Sequence, residues 1–167
     1  MERDETSPTT FSAAEADEAH LVLFSRVTGT WENIRPIVEY AKACITSRSS
    51  AAAGERAGLV LHELLENAFK YGGGGSDVVV RAYVRSFRGF ELRVTNRAVP
   101  SRIALLEKEI RRIVAMKAGD AFLESVRRAP TLGAGVSMIG LSRIRHEGEV
   151  ELDVLVAGQY VTLVAKE

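Results

Sequence analysis

Between Glu55 and Tyr71, apolar residues recur at Leu59, Leu61, Leu64, Leu65, Ala68 and Phe69. That three-and-four spacing predicts a helix with one buried side. The glycines Gly72 to Gly75 bring it to an abrupt end. Upstream, Ile34, Ile37, Val38, Ala41 and Ile45 predict a second helix over Trp31 to Ser47. Thr30 suits its N-cap, and a start at Arg35 would put Pro36 in the first turn, where proline costs no hydrogen bond. Residues 47–54 read as a loop or a frayed helix end. Further helical patterns run over Ile103 to Met116, Asp120 to Arg128 and Val136 to Ile144, separated by Gly119, Pro130 and the glycines at 133 and 135.

Other segments carry the β pattern. His20 to Val27 predicts an edge strand ending at Gly29. Asp77 to Phe87 and Phe90 to Thr95 form a hairpin through Arg88-Gly89, with Pro100 beyond it, and Glu149 to Val156 and Gln159 to Ala165 form another through Ala157-Gly158. Strands fall into one layer and helices into the other. The order predicts an α+β two-layer sandwich with a mixed, mostly antiparallel sheet and helices on one face. Residues 19–167 make one domain, preceded by a polar tail over 1–18.

Composition narrows the function. The chain has 167 residues, 46% apolar and 26% charged, which suits a globular domain and excludes a disordered one. Cys44 is the single cysteine, so neither an internal disulfide nor a thiolate zinc cluster is available, and it reads as a small core residue. No apolar run of membrane-spanning length occurs. The first residues carry Glu2, Asp4 and Glu5 where an export signal would be basic and then apolar, so a cytoplasmic protein is expected. Net charge is zero, from 22 basic and 22 acidic residues. It is unevenly spread: residues 1–18 hold six acids against Arg3 alone, leaving 21 bases and 16 acids elsewhere. That surplus is too small to make nucleic acid the direct partner. Arg81, Arg85, Arg88, Arg93, Arg97 and Arg102 nevertheless cluster, either solvating a sheet face or edge, or meeting an anion or an acidic partner surface.

The chemistry concentrates on 63-ELLENAFKY-71. Glu63, Asn67 and Lys70 lie at i, i+4 and i+7, on one face of a helix. A carboxylate, an amide oxygen and an amine on one stripe suit a proton acceptor, a Mg²⁺ ligand and a phosphate contact. The same stripe equally suits a solvated helix face with an ordinary Glu66–Lys70 pair. His62 on this helix reads as structural or surface.

This stretch resembles the N-box of the Bergerat-fold ATPases, the superfamily of DNA gyrase and the sensor histidine kinases, in Glu63, Asn67, Ala68, Lys70 and Tyr71. A second stretch, 133-GAGVSMI-139, is similar to the glycine box that opens the next helix in histidine kinases and anti-sigma-factor kinases. The resemblance covers residues 19 to 166. It implies ATP and Mg²⁺ as cofactors, with Asn67 on the metal, Glu63 activating water or a protein hydroxyl, Lys70 near the phosphates and Tyr71 near the nucleoside. Gly133 and Gly135 would let backbone approach the phosphates.

The family's Asp-x-Gly-x-Gly box falls on 95-TNRAV-99, where Thr95 takes the aspartate position, or Asn96 does after a one-residue slip. Arg97 and Val99 replace glycines, which predicts a crowded adenine pocket. Residues 101–129 have few glycines for a nucleotide lid and suit a cover over the site or a helical docking face, with Lys108, Arg111, Arg112 and Lys117 exposed and Ile103, Leu106, Ile110, Ile113 and Val114 in the core. A stand-alone domain of this length most resembles bacterial anti-sigma-factor and switch-protein serine kinases. That implies a regulatory protein partner, such as a sigma factor or an anti-sigma antagonist, with Mg-ATP binding and serine phosphorylation of the partner. The alternative is a degenerate adaptor of the same fold that uses no nucleotide. The edge strand at Leu21 to Leu23 offers a route to a homodimer.

Overall fold

Ser50 decides where the longest helix begins. Its hydroxyl accepts the Ala53 N–H at 3.1 Å, capping a helix over Ala51–Tyr71 that starts four residues ahead of the expected Glu55. Of the 47–54 stretch expected to be a loop or frayed end, only Ser49 and Ser50 lie outside a helix, because the preceding helix runs to Arg48. Ser50→Ala is expected to cost about 1 kcal/mol, read as a lowered urea midpoint with an unchanged slope; an unshifted midpoint would show that the cap contributes nothing.

The computed structural model describes residues 19–28, 30–72, 77–85, 89–129 and 139–167. The expected tail over 1–18, the glycines from 73, the turn residue Arg88, Pro130 and the glycine box with Gly133 and Gly135 lie outside them. The described elements are β1 (Ala19–Thr28), a 3₁₀ turn (Trp31–Asn33), α1 (Ile34–Arg48), α2 (Ala51–Tyr71), β2 (Asp77–Arg85), β3 (Gly89–Arg97), α3 (Pro100–Val114), α4 (Ala118–Arg128), α5 (Ile139–Glu147), β4 (Glu151–Ala157) and β5 (Tyr160–Lys166).

The strands form one sheet in the order β1-β2-β3-β5-β4, and each neighbouring pair is antiparallel. The expected sheet was mixed; among the described residues no parallel pair occurs. The reason is the last hairpin. The chain leaves the helices into β4 at the sheet's edge, and β5 turns back into the gap beside β3.

The helices cover one face. Val60, Leu61, Leu64 and Leu65 of α2 are fully buried, as are Val80 and Ala82 of β2 and Leu92 of β3. Along β2 and β3 every second residue enters this core, which fixes which side chains are left for the opposite face.

α3 starts at Pro100, three residues before the expected Ile103, with proline at its first position, where the ring is preorganised for a helix. Ile103, Leu106, Ile110 and Ile113 are buried as expected, but Val114 is exposed. Arg112 is not one of the exposed cations: it bonds Glu109 and the Ser125 hydroxyl (2.8 Å) and pairs with Glu124 (3.1 Å), tying α3 to α4. Arg145 of α5 donates to the Ile113 and Met116 carbonyls (2.5 and 3.1 Å), satisfying the end of α3. Cys44 is only partly buried on α1.

Candidate functional site

α2 presents Glu63, Asn67 and Tyr71 toward the other elements and turns Lys70 away. Asn67 is 7% exposed, and its Nδ2 donates to the Glu63 carbonyl one turn earlier at 2.8 Å. The Glu63 carboxylate accepts from Arg143 Nη1 of α5 at 3.0 Å, and Arg143 Nε also donates to Glu147 at 2.9 Å. Those two carboxylates, Glu147 first, hold the Arg143 guanidinium above its ordinary value. A Cβ at Gly140 would collide with the Glu63 carboxylate and stand 3.7 Å from Asn67 Nδ2, so α5 is seated on the stripe with no side chain between them. Gly140 and Arg143 are the site residues that spacing along the chain does not reveal. The small residue just after the glycine box was the one available sign.

Lys70 lies 48% exposed, with Nζ donating to Glu66 at 2.9 Å and 6.0 Å from the Trp31 ring; it lines no part of the cleft. His62 pairs with the other Glu66 oxygen at 3.2 Å. The ordinary i,i+4 pair is thus what Lys70 forms. Lys70, first, and His62 hold the Glu66 carboxyl below the usual carboxylate range, against the opposing effect of burial. A depressed carboxyl contributes stability above its unfolded value, and this is lost as pH falls through the folded one. Glu66→Gln is expected to be less stable than wild type at neutral pH by about 0.3–0.5 kcal/mol, with the gap closing in acid. A gap that persists below the carboxylate range would assign it to packing.

Asn96, not Thr95, faces the cleft. Phe90, Leu92 and Val94 enter the core, and the next residue in that phase is Asn96, 6% exposed, with Nδ2 donating to the Arg97 carbonyl at 3.1 Å. Thr95 points to the other side of the sheet, where its hydroxyl meets that of Thr162 at 2.8 Å. Of the two positions expected for the family's aspartate, Thr95 therefore lies on the far side of the sheet and Asn96 lines the cleft. Arg97 and Val99 do not crowd the cleft either. Arg97 Nε donates to Gln159 at 2.7 Å, and Val99 is 56% exposed.

What fills the space is α3. The cleft is bounded by Asn67, Ala68 and Tyr71 on α2, Asn96 on β3, and Ile103 and Leu106 on α3, while Arg102 lies 5.7 Å over the Tyr71 ring. The remaining cavity measures about 20 Å³ for the centre of a water-sized sphere, room for a single water. As packed, these residues do not fit an adenine base. Among the described residues no three His, Cys, Asp or Glu side chains converge on a metal position, so a Mg²⁺ here would rest on Asn67 and on oxygens that a ligand brings.

A wider groove between α1 and α2 is lined by Lys42 and Glu55, which pair at 2.7 Å, and by Arg56, which pairs with Glu167 outside the lining. Among the described residues no helix is long and apolar enough to cross a membrane.

The described residues define an α+β sandwich in which α2 carries Asn67 and Tyr71 into a small cleft that α3 covers, with α5 packed against Glu63. No family model and no curated protein sequence matches the chain. Among solved structures, a chain in the crystal structure of the SiaB–SiaC complex from Pseudomonas aeruginosa shares this fold, with a TM-score of 0.68 over 87% of this chain and 89% of that one, at 14% sequence identity.

Proposed function

We propose that the protein is a regulatory switch component that works by binding another protein. Its N-box cleft is a closed relative of a nucleotide site rather than an assembled kinase centre. The observation that carries this is the packing of α3: with Ile103 and Leu106 seated, the cleft has room for about one water. Glu63, the residue that would act as base, is neutralised by Arg143. The partner class follows from the resemblance to anti-sigma-factor and switch-protein kinases: a sigma factor, an anti-sigma antagonist or another signalling protein. The shared fold with a chain crystallised in a two-protein complex supports the same class.

Calorimetric titration of the purified chain with Mg-ATP and Mg-ADP, alongside Asn67→Ala, tests this. No binding heat is expected from either chain. Retrieval of a stoichiometric protein partner from the source cells is expected to be unchanged by Asn67→Ala.

The second reading is a Mg-ATP-dependent serine kinase for the partner. It is favoured by one observation, the two buried amides Asn67 and Asn96 facing one cleft. Saturable Mg-ATP heat that disappears in Asn67→Ala would establish nucleotide binding and overturn the closed-cleft assignment.

A further inference from the structure

The face of the sheet turned away from the helices carries a second surface, built mainly by β1, β2 and β3. The alternation that sends Val80, Ala82, Leu92 and Val94 into the core sends Arg81, Tyr83, Arg85, Glu91 and Arg93 to this side. Register places Phe24 beside Arg81, Arg81 beside Arg93, and Arg26 in the next row. Guanidinium groups lie on aromatic rings, Arg81 at 5.2 Å from the Phe24 centroid and Arg93 at 5.4 Å from that of Tyr83. Glu91, 3% exposed, is spent internally, accepting from Arg85 and from Arg93 at 2.6 Å each. Arg26 and Arg81 have no carboxylate partner among the described residues, and Arg97 is held only by Gln159. Beside these charges stand the exposed side chains of Leu21 and Phe24. Arginine and aromatic residues on a net-positive sheet face that none of the described helices covers are the composition of a binding surface rather than of a merely solvated one.

The chain itself supplies a complement. Residues 1–18 hold Glu2, Asp4, Glu5, Glu15, Asp17 and Glu18 against the single base Arg3. They join the fold at Ala19, which pairs with Arg85 at the margin of this surface. The distance from β1 to β3 is about 10 Å, whereas a segment of this length reaches about 60 Å when extended. Tethering keeps its effective concentration near the millimolar range, so a modest charge attraction suffices to populate the contact.

We propose that this arginine face is a docking surface for an acid-rich extended peptide, and that its occupant is the chain's own segment 1–18. The proposal is independent of whether the cleft over α2 takes nucleotide. Docked there, the six acids meet Arg26, Arg81 and Arg97, whose charge Glu91 does not neutralise. A competing ligand for this face would have to displace the segment, so binding at the face and access to residues 1–18 are coupled.

The test uses the full chain and endoproteinase Glu-C, which cuts after the glutamates of the segment. Cleavage after Glu5 and Glu15 is expected to be at least tenfold slower than in a free synthetic peptide of residues 1–18 in low salt, independently of protein concentration. In 0.5 M NaCl the two rates are expected to converge, because charges at the surface are then screened within a few ångströms. Arg26→Glu/Arg81→Glu is expected to abolish the protection, while Arg127→Glu on α4 leaves it intact. The salt comparison on the wild-type chain keeps the proposal testable if the double variant does not fold. Cleavage of the wild-type chain as fast as the peptide would overturn the proposal, as would protection that survives the double variant. Protection that rises with protein concentration would assign the segment to a second copy and overturn it too. Fluorescein-labelled dT20 is expected to show no anisotropy change with the full chain; binding lost in the double variant would make the face a nucleic-acid platform instead.

Discussion

Glu91→Leu is expected to destabilise the fold by about 2–3 kcal/mol, toward or below the lower end of the cost of breaking a buried ion pair. The carboxylate is 3% exposed and accepts from two guanidinium groups at once. Without it, Arg85 keeps a positive charge in a site where its Nε already has no hydrogen-bond partner. Arg93 is 41% exposed and can turn into water, which is why the full penalty for an orphaned pair is not expected. Urea denaturation of Glu91→Leu and of Glu91→Leu/Arg85→Leu separates the contributions. The double variant is expected to recover part of the loss, because removing both partners leaves no orphaned charge. A loss below about 0.5 kcal/mol in the single variant would mean that both arginines simply rehydrate.

Gly148→Ala is the second large effect. Gly148 follows α5, and its N–H bonds the Ile144 carbonyl at 3.0 Å. A Cβ there would collide with that carbonyl and with Val60 Cγ2 on α2. Glu149 follows in the left-handed region at φ 53°, so the chain has little freedom to give way. The expected cost is about 2–3 kcal/mol, the range of overpacking in a close-packed core. α5 also carries Gly140 and Arg143 onto Glu63, so lifting it loosens the cleft as well. Adding Val60→Ala removes one of the two collisions and is expected to restore part of the loss despite the smaller core. A Gly148→Ala chain as stable as wild type would show that α5 is loosely seated.

Part of the cleft was legible in the sequence. The spacing predicts one stripe of Glu63, Asn67 and Lys70; the helix repeat keeps Glu63 beside Asn67, but Lys70 turns outward to Glu66, and Tyr71 lines the cleft in its place. Thr95 and Asn96 both stood open for the aspartate position; the phase of Phe90, Leu92 and Val94 turns Asn96 inward and Thr95 outward. The same alternation assigns Arg81, Arg85 and Arg93 to one face. The role of α3 was half legible. The lack of glycines in 101–129 argued for a cover, but not for Ile103 and Leu106 as the side chains that close the cleft in place of Arg97 and Val99.

The sequence by itself determined the elements, their burial phase and the two-layer class, because each depends on apolar periodicity over a few residues. The start of α2 depended on a hydroxyl reaching back to one N–H, a local signal that is easy to overlook at Ser50. Only the tertiary structure decided that β5 would enter between β3 and β4 and that no parallel pair would occur among the described residues. It alone brought Arg143 to Glu63 across 80 positions and seated α3 over Asn67. Those outcomes depend on which apolar surfaces fit one another in three dimensions, and no spacing along the chain encodes that fit.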